Sequence, residues 1–322
     1  MDIRNKAKVE KVLFDKFKEF KPHLKDSSIN MYVHQISKLQ TLYNDATFGF
    51  INNIQDVEEK LKDKNYLTKR NFLNVIIVIL QMDESNPEKL KLLEKYQSIR
   101  DELNNRYQVE NETGKISEKQ KAGFISHKEI TDCLETLKNI TKPYFIGNME
   151  LSSKQRNILN FYIVLSIHVT FPLRNDLAET IVINKRTYNK LTIDEKKAHN
   201  YLVMTAKPFF SLNKYKTSKI YEENIIYMEK DLRLLLTKFV KIIGTGPLIK
   251  NSNTGESLTR NSLTQFLTKY TKEYIGTGIS TTMIRKIVMS HHFIKSKKDQ
   301  EKLAKVAGHS VGTQNLIYVK EI

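Results

Sequence analysis

The stretch Gly308-His309-Ser310-Val311-Gly312-Thr313-Gln314-Asn315-Leu316-Ile317-Tyr318 ends four residues before the last residue of this 322-residue chain. A His and a Tyr nine apart do not share one helical face by simple periodicity. The Gly-His-Ser break predicts instead that His309 opens a helix, with Ser310 near its N-cap and Tyr318 beyond a second turn. A late phenol, with an imidazole beside it and arginines upstream, suits nucleophilic attack on a phosphodiester. Such attack needs cations on the two non-bridging oxygens and a proton for the leaving 5′ oxygen. Taken alone, the simpler reading is a tyrosine packed beneath a terminal tail.

The segments upstream change the balance. Phe171-Pro172-Leu173-Arg174-Asn175-Asp176 comes first, then Asn213-Lys214-Tyr215-Lys216-Thr217-Ser218-Lys219, then Thr281-Thr282-Met283-Ile284-Arg285. This order of Arg, Lys, Arg, His and Tyr resembles the tyrosine recombinase (phage integrase) superfamily over roughly residues 126–322. The spacings of 24 from Arg285 to His309 and nine from His309 to Tyr318 fit that family. The wording AGHSVGTQNLIYVKE, and YLTKRNFLNVIIVIL nearer the N-terminus, is most similar to recombinases of large DNA viruses and their satellite elements. Heavy use of Lys, Asn and Ile agrees with an AT-rich source genome.

The resemblance implies a mainly α fold with a small antiparallel β-sheet in the catalytic domain. It also implies a two-domain DNA clamp of the kind shared with type IB topoisomerases. Arg174 and Arg285 would grip the scissile phosphate, since a guanidinium donates two bonds from one plane and stays charged. Lys216, in Tyr-Lys-Thr-Ser, best matches the hairpin lysine that protonates the leaving oxygen, with Lys214 and Lys219 as competitors. His309 would bond a non-bridging oxygen and orient Tyr318, the nucleophile; the alternative is a structural histidine near a cap. Two departures stand out. The family's acid lies three residues after the first arginine, whereas Asp176 lies two after Arg174. Where relatives carry a second histidine, three before the second arginine, this chain has Thr282, a phosphate donor but a poor base.

Charge is distributed unevenly. The net charge is +17, which points to a polyanionic partner. Residues 1–120 hold 21 Lys and Arg against 19 Asp and Glu, and the remainder holds 32 against 17, so the excess accompanies the candidate site. A 40% hydrophobic share supports ordinary cores for two domains. The single cysteine, Cys133, sits in an apolar helical pattern with Ile130, Leu134 and Leu137, reads as core filler and fits a reducing compartment. No apolar signal follows Met1, and the longest apolar run, Val75–Leu80, is too short for a bilayer. A soluble, intracellular protein without membrane contact is expected, in host nucleus or cytoplasm if viral.

Along the chain, residues 1–110 read as a helical DNA-clamping domain, 111–123 as a linker and 124–322 as the catalytic domain. Ser27-Ser28 is expected to cap a helix carrying Ile29, Val33, Ile36 and Leu39, and Asp56 another carrying Val57 and Leu61. Thr68 precedes a helix apolar enough to be central, with Phe72, Leu73, Val75, Ile76, Ile79 and Leu80. Lys69 and Arg70 fall near its start and are candidates for DNA contact, alongside Lys214 and Lys219, though a solvated face explains them as well. The polar, aperiodic stretch from Arg106 into Gly123 opens the linker. Strands are expected at Glu179–Asn184, Asn200–Met204, Pro208–Leu212 and Ile220–Tyr227. Helices are expected at Ser152–Ile167, Lys230–Ile243, Arg260–Tyr274, Met283–His292 and Gln300–Val306.

No cofactor is expected. His291-His292 invites a metal reading, but adjacent helical side chains point about 100° apart and no Cys pair assists them, so no metal is expected. Gly276-Thr277-Gly278 reads as a turn. The expected activity is site-specific cleavage and rejoining of duplex DNA through a 3′-phosphotyrosyl intermediate. The alternatives are a type IB topoisomerase and a catalytically idle DNA-binding relative. A tetramer on DNA follows only from the resemblance, and with four residues after Tyr318 the helix that relatives donate to a neighbour is expected to be missing, natively or by truncation.

Overall fold

The computed structural model describes residues 3–82, 86–112, 121, 123–146, 150–252, 254–291 and 297–318. It divides into two compact units, Met1–Thr113 and Gly114–Ile322. Among the described residues, no helix is long and apolar enough to cross a membrane.

The first unit contains helices Ile3–Phe20, Asp26–Tyr43, Ile54–Leu61, Tyr66–Gln81 and Pro87–Glu112. Tyr66–Gln81 buries Phe72, Leu73, Val75, Ile76, Ile77, Val78 and Leu80, too many for one stripe, so it forms the centre of the bundle. Tyr96 is fully buried and its hydroxyl donates to the Ile51 carbonyl at 2.8 Å, which pins the short turn Gly49–Asn52 to the longest helix. Several caps differ from expectation. The Asp26–Tyr43 helix starts ahead of Ser27 with no side-chain cap. Asn53, not Asp56, caps Ile54–Leu61 by accepting from the Asp56 amide. Asn65 does the same for Tyr66–Gln81 through the Thr68 amide, so Lys69 and Arg70 lie past the first turn. An Asx side chain one residue before the helix reaches the N3 amide better than one already inside it.

Arg106 to Asn111 is helix and not loop, because Arg106 pairs with Glu110 one turn on while Tyr66 donates to the same carboxylate. Of the linker expected at 111–123, residues 113–120 and 122 lie outside the described residues.

The second unit is built on the Ser153–Thr170 helix, opened by a capping box between Ser152 and Gln155 and buried along most of its length. Phe171 leaves the helix in an extended conformation, and Pro172 cannot resume it. Arg174 is thereby delivered in extended backbone at the end of a rigid element. The helices His127–Thr141, Lys230–Ile243, Arg260–Ile275 and Thr281–His291 complete the core. Cys133 lies in it, its thiol pushed up to about 11 by burial. Gly276 closes Arg260–Ile275 at φ +89°, so the Gly-Thr-Gly stretch begins as a helix terminator.

The sheet has five strands, β1 Thr180–Asn184, β2 Asn200–Met204, β3 Phe209–Leu212, β4 Asn224–Tyr227 and β5 Gly246–Pro247, in the order β4-β3-β2-β1-β5. It is mixed and not antiparallel: β1 and β2 run parallel, Thr180 opposite Asn200. The cause is the connection. Helices Lys185–Lys190 and Ile193–Ala198 carry the chain back to the starting end of β1, and a crossover of this kind is what parallel pairing requires. The strand expected at Ile220–Tyr227 is shortened to β4, Asn224–Tyr227, since Ser218–Tyr221 forms a helical turn before it.

Candidate active site

The site is assembled around the end of one helix. Lys297–Ala307 stops at Gly308, whose φ is +68°. The Gly308 amide bonds the Lys305 carbonyl at 3.1 Å and the His309 amide bonds the Ala304 carbonyl at 3.0 Å, the paired closure that a left-handed glycine permits. The turn leaves the carbonyls of Ala307 and Gly308 for other donors. Arg285, from Thr281–His291, donates to the Ala307 carbonyl at 3.1 Å. Arg174 donates to the Gly308 carbonyl at 3.0 Å, and Thr217, from the β3–β4 connection, donates to the same oxygen at 2.8 Å. A Cβ at position 308 would stand 3.3 Å from both the Arg174 Nη1 and the Thr217 Oγ1. Glycine is therefore demanded twice, by conformation and by approach.

Ser310, not His309, begins the next turn: its hydroxyl accepts from the Thr313 amide at 3.1 Å. The turn Val311–Thr313 passes into a π-helical turn, Gln314–Tyr318, a wide winding that often marks functional positions. It returns Tyr318 to His309, the rings 4.9 Å apart and 14° from parallel. The Arg285 guanidinium lies 4.4 Å from the Tyr318 ring centroid. Ser290, five residues beyond Arg285, donates to the Tyr318 carbonyl at 3.3 Å and fixes the phenol's backbone. Four separate segments thus meet: the Arg174 strand-like stretch, the β3–β4 turn, the Arg285 helix and the terminal box.

Electrostatics follow from burial. Arg285 is 2% exposed; desolvation brings it to about 10, helped by the Arg174 charge and opposed by Tyr318 and Asp176, so it stays a cation at neutral pH. Its Nε has no hydrogen-bond partner. His309 is pushed down to about 4, first by burial and then by Arg285. Its Nδ1 lies 3.1 Å from the Ser310 carbonyl, which can only accept, so Nδ1 carries the proton and the neutral ring presents a bare Nε2. That Nε2 is buried without a partner.

Lys216 is exposed, between Tyr215, whose hydroxyl donates to the Glu222 carbonyl, and Thr217. Lys214 extends to Glu179 at 3.5 Å. The side chain of Lys219 lies outside the described residues. Thr282 is exposed, three residues before Arg285 on the same helix. Asp176, two residues after Arg174, pairs with Arg260 at 2.9 Å, a bond the sequence did not disclose. In the first unit, Arg70 stacks over Tyr107 at 4.9 Å, and Lys69 is half-buried beside it in sequence. His291 stacks on His127 at 3.8 Å, a face-to-face geometry unsuited to sharing an ion, and His292 lies outside the described residues. Among the described residues, no group of three or more His, Cys, Asp or Glu could hold a metal.

Three residues here carry no motif. Thr217 and Arg260 act through backbone carbonyls or a distant carboxylate. His168 is 1% exposed on Ser153–Thr170, and both of its ring nitrogens lack partners. A lone histidine within an apolar run was the available signal.

No family model matches the chain, and no curated protein does. Among the solved structures that match, "Crystal structure of XerA recombinase" aligns with a TM-score of 0.41 at 10% identity, covering 97% of this chain and 94% of that chain. At that score the likeness carries no functional weight, which falls instead on the residues around Tyr318.

Proposed function

We propose that this chain cleaves and rejoins duplex DNA as a site-specific tyrosine recombinase or integrase. The observation that carries this reading is a buried arginine, Arg285, set against a tyrosine flanked by a neutral histidine, with the charge of Arg174 acting on that same arginine. Both Arg285 Nε and His309 Nε2 are left without partners there. Two guanidiniums in mutual repulsion, with donors to spare, suit a doubly liganded phosphate anion.

In the proposed step the Tyr318 Oη attacks phosphorus, its proton passing to His309 Nε2 or to water. The P–O5′ bond breaks as the Lys216 ammonium gives a proton to the departing oxygen. The product is a 3′-phosphotyrosyl ester, which a 5′ hydroxyl reverses by the same path. The ester keeps the bond energy, so the step balances without a nucleotide or a metal. Arg174 and Arg285 hold the non-bridging oxygens and Thr282 supplies a further donor. Lys69, Arg70, Lys214 and Lys219 are assigned to DNA backbone contact, in line with the basic excess. Joint action of several copies on DNA, and a source in a virus or mobile element, belong to the same proposal.

The test is incubation with a pool of nicked suicide duplexes and sequencing of whatever DNA becomes covalently trapped. Wild type should trap a restricted set of sequences. Tyr318→Phe should trap none while binding DNA nearly as well, because the hydroxyl contributes little to a phosphate-dominated interface. An adduct with the Phe variant refutes the nucleophile, and unselective relaxation of supercoiled plasmid would assign a topoisomerase instead.

A further inference from the structure

The β3–β4 connection is tied down on both sides of Lys216. On one side, Asn200 accepts from the amides of Asn213 and Lys214 at 2.8 and 2.7 Å. The Asn200 side chain also donates to the Asp176 carbonyl at 2.8 Å and to the Lys214 carbonyl at 3.2 Å. Arg260, already paired with Asp176, donates to that Lys214 carbonyl at 3.0 Å. This anchor refers the turn to the segment that follows Arg174. On the other side the Thr217 hydroxyl donates to the Gly308 carbonyl of the terminal box at 2.8 Å, sharing that oxygen with Arg174. Tyr215 is 4% exposed and also faces Gly308, 3.5 Å from where a Cβ there would stand.

We propose that Thr217 is a positioning residue that latches the Lys216 turn to Gly308, and so holds the lysine in register with Arg174 and Tyr318. The inference rests on the function proposed above. Lys216 sits between a buried tyrosine and this threonine, and its own side chain is exposed, so its backbone must locate it. A threonine meets the need because its hydroxyl donates one bond to a carbonyl while its branched Cβ limits χ1. Gly308 contributes by having no Cβ, since one would press on both donors at 3.3 Å. One carbonyl oxygen thus sets two catalytic groups: Arg174 for the phosphate and, through Thr217, Lys216 for the leaving oxygen.

The experiment uses the full chain and a duplex recovered from wild-type trapping, with Thr217→Val, Thr217→Ser and Lys216→Ala compared in single-turnover cleavage. Thr217→Val should slow the ordinary phosphodiester roughly tenfold, a fraction of the 10²–10⁴ that general acid catalysis contributes. A 5′-bridging phosphorothiolate, whose leaving group needs no proton, should restore most of that rate for Thr217→Val and Lys216→Ala alike. Thr217→Ser should stay near wild type. Equal slowing of both substrates by Thr217→Val would overturn the latch, since that pattern belongs to lost phosphate binding or damaged folding.

A second measurement is independent of activity. The amides of Ser218, Ile220 and Glu222 are bonded within the turn to Tyr215, Thr217 and Ser218, and report its order by hydrogen exchange. Thr217→Val should accelerate exchange there and leave the Ser153–Thr170 helix unchanged. Unchanged exchange at the turn overturns the latch. If wild type traps no duplex, the proposed function falls, and the exchange result still decides whether Thr217 holds the turn.

Discussion

Replacing His168 with Leu should make the protein less sensitive to acid. The imidazole is 1% exposed, and burial first, then the Arg285 charge, push it down to about 3. In the unfolded chain it titrates near the ordinary histidine value of ~6.5. The folded value lies below the unfolded one, so the folded state favours the neutral ring. Its stability contribution is complete above about pH 6.5 and declines as pH falls toward the folded value. Each pH unit in that window costs about 1.4 kcal/mol, so the step from pH 6.5 to 5 removes about 2 kcal/mol. His309, held at about 4, removes a similar amount over the same window and does so in both proteins. Wild type should therefore lose about 4 kcal/mol from these two rings, and His168→Leu about 2. At pH 7 the variant should be no weaker, since it also removes two buried nitrogens without partners. The chain has no tryptophan, so urea unfolding followed by far-ultraviolet circular dichroism is the suitable assay. The first unit is the same in both proteins, so the difference between them isolates the second. If that difference is the same at pH 7 and pH 5, His168 is not a buried neutral imidazole and the reasoning fails.

Two further predictions rest on the proposed function. Thr282→Val should slow cleavage roughly ten- to a hundredfold, the loss of one bond to a charged group, because its side chain is exposed and open to a phosphate. Arg285→Ala should be slower still by at least about another tenfold, since it uncovers phosphate charge and frees the Ala307 carbonyl; equal defects at matched salt would show that Thr282 has a larger role. Gly308→Ala should lower stability by about 1–2 kcal/mol through its left-handed conformation, and lower cleavage further by displacing Arg174 and Thr217; an unchanged melting temperature would contradict the geometry.

Much of the helical content is legible in local pattern. Lys230–Ile243 forms over the residues that its apolar spacing marks, because a helix buries one stripe and the stripe repeats every 3.6 residues. The Arg285 helix and the helix before Gly308 are each recognisable, within a few residues, for the same reason. Caps are less legible: Asn53 and Asn65 cap in place of Asp56 and Thr68 because, one residue before the helix, their side chains reach the amide three residues on. The order and spacing of Arg174, Lys216, Arg285, His309 and Tyr318 can be read from the sequence, and so can the break at Gly308-His309-Ser310.

What only the tertiary structure decided is how those groups are held. The parallel pairing of β1 with β2 depends on where a crossover returns the chain, which no strand encodes by itself. Arg174, Arg285 and Thr217 are set by the carbonyls of Ala307 and Gly308. A backbone carbonyl is the same at every residue, so its role as an anchor leaves no mark in the sequence. It acquires that role only when a helix ends in a left-handed glycine and three distant segments fold against it.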